Sequence, residues 1–149
     1  MYFRDYVVND ILLITISGED QSGLTASITG ILASHEVNIL DIGQAVIHDT
    51  LSLGVLVEVP SETHRSRVLN AIESRVADYG LSVRASDISP ESYQHWVEGS
   101  GLARYIITLL ARKITADQLS RVTGVVARHQ LNIDNIKRLS IFNWKNCLP

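Results

Sequence analysis

The sequence predicts an α+β fold: one complete βαββαβ unit, with two helices on a four-stranded antiparallel sheet, then a partial second repeat, βαβ. Two observations carry this. Across residues 8–88 the apolar positions switch between strand alternation and helical spacing in that order. In addition, the segment Thr29–Ile39 recurs as Thr123–Ile133, with six of eleven positions identical and three more aliphatic in both copies.

The first strand is the β-branched run Ile11–Ile16. It ends in a polar turn, Gly18-Glu19-Asp20-Gln21-Ser22-Gly23, whose glycines tolerate positive φ. Leu24, Ile28, Ile31 and Leu32 then mark one apolar helix face, with Ser22 or Asp20 available to cap its first amides. A second apolar stretch, Ile39–Ile47, is followed by the polar His48-Asp49-Thr50 and by alternation at Leu51, Leu53, Val55, Val57 and Val59, a hairpin with one buried face. Pro60-Ser61 opens a helix striped by Val68, Leu69, Ile72, Val76 and Tyr79, and Gly80 closes it. Leu81, Val83 and Ala85 form the fourth strand. This order is the ferredoxin-like arrangement.

Residues 89–101 read as a linker because of Pro90, Gly99 and Gly101, with Tyr93 and Trp96 packing it onto a domain face. Residues 102–149 form the partial second unit: a strand at Tyr105–Ala111, the repeated helix, and a strand near Asn135–Ile141. The tail Phe142–Pro149 is too short for a further hairpin strand, helix and closing strand. Half a unit exposes a sheet edge and leaves its helix without a neighbour, so the expectation is self-association, disorder after about Ser140, or a chain cut from a longer protein.

A net charge of −3 with no dense basic patch argues against nucleic acid as a partner. Every apolar run is shorter than a membrane span, and Met1–Asp5 lacks the apolar core of a secretory leader. A single cysteine, Cys147, rules out an internal disulfide and fits a reducing, cytoplasmic setting. Five scattered histidines form no ligand-like cluster, so neither a metal nor another cofactor is expected. An acylphosphatase-like enzyme would need an anion-gripping arginine and a catalytic asparagine in the first loop, which are not seen, so no catalytic residue is assigned.

The strand, the turn Gly18–Leu24, the helix and Val37-Asn38-Ile39-Leu40-Asp41-Ile42 together resemble an ACT domain. Gly101–Ala111 and Ile133–Ser140 extend the resemblance to the tandem-ACT regulatory region of bacterial phosphoserine phosphatases, over residues 8 to 141. In that family the catalytic domain carries an Asp-x-Asp motif; none occurs here, so the resemblance implies the regulator without the chemistry. It implies a small amino-acid effector, L-serine or glycine, and a homodimer or higher homo-oligomer. Tandem ACT units also resemble regulators of the glycine-cleavage-repressor type, which leaves a stand-alone interaction protein as the alternative.

The turn after the first strand aims backbone amides and a helix N-terminus at whatever lies over it, a setting that favours a carboxylate. Gly23 permits close approach, Asp20 can accept from an amino group, and Asn38 can serve either end of a zwitterion. The resemblance places effectors between paired units, near this turn and the start of the second strand. The candidates are therefore Asp20, Ser22, Gly23, Leu24, Asn38, Ile39 and Asp41, with Asn132 and Asp134 as counterparts in the second unit. There the turn Arg112–Asp117 contains no glycine, which argues against a fully equivalent second site. Competing structural roles are helix capping for Asp20 and Ser22, a left-handed turn for Asn38 and Asn132, and close helix packing for Gly30 and Gly124.

Overall fold

In the first unit, Met1–Ala103, alternation and helical stripes become β1 (Asp10–Glu19), α1 (Leu24–Ser34), β2 (Asn38–Ile47), β3 (Thr50–Val59), α2 (Glu62–Asp78), β4 (Ser82–Ile88) and α3 (Pro90–Gly99). The second unit, Arg104–Pro149, contributes α4 (Ala116–Arg128). These elements come from a computed structural model of the chain that describes residues 9–139. Expectations about a leader at Met1–Asp5, disorder after Ser140, the end of the strand near Ile141 and the role of Cys147 fall outside the described residues.

The sheet order is β2-β3-β1-β4, antiparallel throughout. Leu12, Ile14 and Ile16 face Val57, Val55 and Leu53 across the β1–β3 ladder, and all six are fully buried. Against them lie Leu24, Ile28 and Leu32 of α1 and Val68, Ile72 and Val76 of α2. Burying each such side chain contributes about 1.5–3 kcal/mol, so this single apolar layer is what fixes the register.

β2 departs from simple alternation. Its register with β3 shifts between Ile39 and Asp41, where Leu40 forms a bulge. Asn38 therefore pairs with Glu58 and Asp41 with Leu56, both on the sheet face away from the helices, although three positions separate them. Ile39, Ile42 and Val46 fall on the helix side but stay 39%, 44% and 44% exposed, because β2 is an edge strand.

The helices end by rule. Ser61 caps α2 by accepting from His64 N, and Gly80, at φ 68°, closes it. α1 closes on the same pattern, with Glu36 N donating to Ala33 O and Val37 N to Leu32 O, but the left-handed residue is Glu36 (φ 55°). In the second unit it is Gln130 (φ 56°). The left-handed turn thus lies two residues before Asn38 and Asn132, where it was expected. It ends the helix, whereas Asn38 already belongs to β2.

Three further expectations are corrected. Residues 89–101 hold α3: Pro90 occupies the first helical turn, Ser89 accepts from Ser92 N, and Gly99 is its last residue. The proline and glycine taken as linker punctuation are helix start and stop signals. Tyr93 and Trp96 stack on each other, with centroids 5.8 Å apart, and Trp96 remains 45% exposed. A Cβ added at Gly30 or Gly124 would meet nothing within 4 Å, so neither glycine marks close helix packing within the chain.

In the second unit the repeated helix is present, yet no strand forms at 105–111 or 135–139. The first unit supplies the reason. There β1 and β2 are not neighbours; β3 lies between them and hydrogen-bonds to both. With no equivalent of β3 among the described residues, the two flanking segments of the βαβ half have no ladder to join there.

Candidate functional site

The turn between β1 and α1 is held on two sides. Asp20 N donates to Asp49 O at 2.8 Å in the β2–β3 hairpin, and Gln21 Nε2 donates to Tyr79 O at 3.1 Å at the end of α2. Gly23, at φ 84°, is the N-cap of α1 and offers no side chain. Neither Asp20 nor Ser22 caps the helix, and its first turn carries no acidic residue. Leu24 N reaches Gln21 O at 3.3 Å, while among the described residues the amides of Thr25 and Ala26 meet no acceptor. The positive end of α1 is therefore open to an anion. Thr25 Oγ1 donates to Gln44 Oε1 at 2.6 Å, which ties this end of α1 to β2.

Asn38 and Asp41 lie elsewhere. Gly18 pairs with Leu51 and Asn38 pairs with Glu58, so the turn and the start of β2 flank opposite ends of β3. At the usual rise per residue they are about 23 Å apart. Asp20, Ser22 and Gly23 are thus brought together at one end, and Asn38, Ile39 and Asp41 at the other. Leu24 is 1% exposed in the core, so only its backbone remains to meet a ligand. Asn132 and Asp134 are exposed in the second unit. There Thr115 caps α4 by accepting from Gln118 N, and Gln118 Oε1 accepts from Thr115 N; this capping box occupies the place that is vacant in α1.

Two further side chains complete the Asn38 end. Asn38 Nδ2 donates to Glu58 Oε2 at 3.1 Å, and Asn9 Nδ2 donates to Glu58 Oε1 at 3.0 Å. Sequence reasoning missed both partners. Glu58 was visible only as a polar break among alternating valines, and Asn9 precedes the first apolar run; cross-strand register alone unites them.

Two clefts of the first unit are lined by none of the nine candidates, although Asn9 lines the first of them. One, of about 280 Å³, is lined by Asp10, Glu62, Arg65 and Asp87 among others, and the Asp87 hydrogen bond raises the Arg65 guanidinium above its ordinary pKa. The other, of about 450 Å³, lies on the open sheet face at Thr15, Ser17, Ser82, Val83 and Arg84. Among the described residues no three potential metal ligands gather, and no helix is long and apolar enough to cross a membrane.

The model of the ACT domain matches residues 10–86, which contain the whole four-stranded sheet except its last two residues. The chain belongs to the ACT family. An ACT domain is a regulatory module, and such domains bind amino-acid effectors and oligomerise. The phosphoserine phosphatase SerB2 of Mycobacterium tuberculosis is 35% identical over 132 residues, 87% of this chain but 31% of its own length. A phosphoserine phosphatase of Streptomyces coelicolor is 28% identical over 87% of this chain and 30% of its own length. The chain thus spans about a third of the length of these two curated relatives. Among solved structures, a protein assigned as a glycine cleavage system transcriptional repressor superposes with a TM-score of 0.56 at 16% identity, covering 83% of this chain and 68% of that one. At that identity the likeness concerns the ACT fold.

Proposed function

We propose that this chain senses a small amino acid, L-serine or glycine, and through it regulates an attached or associated phosphoserine phosphatase-type activity without carrying out the chemistry. The observation that carries the reading is the division of the candidate site. An open helix N-terminus suited to a carboxylate lies at one end of the sheet, and the amide and carboxylates of Asn38, Glu58 and Asp41 lie at the other. One chain cannot close these on a molecule the size of an amino acid. Two chains can, if their β2 edges pair antiparallel: Asn38 of one then comes beside the hairpin and β1–α1 turn of its partner. Such pairing covers Ile39, Ile42 and Val46 and gives the unpaired edge a ladder. The ligand then belongs to a homodimer, and by favouring one packing it shifts an equilibrium by ~1–3 kcal/mol. The relatives named as phosphoserine phosphatases favour serine biosynthesis as the setting, and the single cysteine favours the cytoplasm as the location.

Calorimetric titration with L-serine, glycine, L-threonine and phosphoserine tests this, together with sedimentation of the same samples. Saturable binding of L-serine or glycine by a dimer, abolished by Asn38→Ala, is the expected result. A folded chain that gives no heat with any of them overturns the reading. A second reading, a stand-alone interaction protein acting on a protein partner, draws on the fold likeness to the repressor structure. It then takes the lead.

A further inference from the structure

Glu58 is half-buried on the open face of β3, and both of its carboxylate oxygens are engaged, Oε1 by Asn9 Nδ2 at 3.0 Å and Oε2 by Asn38 Nδ2 at 3.1 Å. A carboxylate accepts and cannot donate, so it decides which end of the Asn38 carboxamide faces it. The nitrogen turns toward Glu58 and Oδ1 turns away. An unbraced asparagine can serve a ligand as donor or acceptor through either end; Asn38 held in this way leads with its acceptor. The β2 bulge adds to the bias by bringing Asp41 onto the same face, so the surroundings of Asn38 carry two acidic side chains.

We infer that Glu58, braced by Asn9, is the positioning residue that sets Asn38 to receive the ammonium group of the amino-acid ligand, leaving the ligand carboxylate for the amides at the start of α1. The inference rests on the sensing function proposed above and assigns the orientation of the ligand within it. Glu58 acts through Asn38. In Glu58→Gln the side-chain amide can no longer accept from both asparagines, so the Asn38 carboxamide loses its fixed orientation while the sheet is kept.

Two measurements on the full chain test this. The first needs no ligand: the Asn38 side-chain NH2 pair in a 15N-resolved NMR spectrum is dispersed and rigid in the parent chain and collapses to the free-asparagine position in Glu58→Gln, with backbone dispersion retained. The second is a double-mutant cycle on L-serine affinity. Glu58→Gln weakens binding tenfold or more, Asn38→Ala weakens it at least as much, and Glu58→Gln added to Asn38→Ala costs nothing further, because a residue that works through another has no effect once that other is gone. Additive losses, or an Asn38 amide equally rigid in Glu58→Gln, overturn the positioning role. A parent chain that binds neither L-serine nor glycine overturns the sensing function and the ammonium assignment together, and the NMR readout separates that failure from a failure of the positioning itself.

Discussion

Helices α1 and α4 end on the same hydrogen bonds, residue for residue. Glu36 and Gln130 take the left-handed position, Val37 N reaches Leu32 O as Leu131 N reaches Val126 O, and His35 and His129 occupy the same cap. Beyond the caps the two repeats part. After α1 the chain enters β2 and a ladder with β3; after α4 it runs through 131–139 without forming a strand. Before the helix the contrast reverses, since α4 starts on a complete capping box and α1 on a bare glycine. The repeat that has its sheet leaves its helix N-terminus open, and the repeat with no strand among the described residues has closed its own. A helix and its caps are decided within some fifteen residues, whereas a strand needs a partner from elsewhere in the chain.

The comparison can be broken most forcefully in the core. Ile14→Ala, at a fully buried position on β1 between β3 and β4, should cost about 2–5 kcal/mol in urea unfolding. Val126→Ala, at the one buried position among the described residues of the second unit, should cost clearly less, and equal losses would mean that the second repeat has a core as complete as the first. Next come the helix starts. Thr115→Ala removes a cap and should destabilise α4 by ~1 kcal/mol, while Ser22→Ala, which removes no cap, should leave thermal stability within a few tenths. Gly30→Ala and Gly124→Ala should each stabilise their helix by about 0.8–1 kcal/mol, since an added methyl meets open space. If the Gly30 variant instead loses self-association on sedimentation while the Gly124 variant does not, α1 contributes to the contact between copies. Smallest of all, Glu36→Gly relieves a left-handed residue at a gain on the order of 0.5 kcal/mol, readable as a slight rise in Tm.

Most of the first unit was legible because its signals are local or strictly periodic. The alternation in β3, the stripe on α2 and the stop at Gly80 fell where the pattern put them, while the continuous apolar run of β1 buries only alternate residues. α3 was misread because proline and glycine punctuate both linkers and helices, and only Ser89 ahead of Pro90 tells the two apart. The candidate site was legible as residue types and not as a place. Asp20 and Asn38 are eighteen positions apart, joined by a helix that carries the chain from one end of the sheet to the other. Glu58 and Asn9 were illegible for a related reason: each meets Asn38 or its partner only through a register that no local pattern encodes.

The bulge at Leu40 has one more consequence. A regular strand is a single two-beat rhythm, and a change of one beat anywhere sends every later side chain to the opposite face. With an extra residue at Leu40, β2 carries two rhythms, a first measure at Asn38–Ile39 and a second from Asp41 onward. The first measure can therefore be rewritten without disturbing the second, provided the syncopation stays. Removal of Leu40 would keep Asn38 in register with Glu58 and Asp41 in register with Leu56 and leave one unbroken rhythm, whereas a strand that kept Leu40 but lost the bulge could not hold both registers at once.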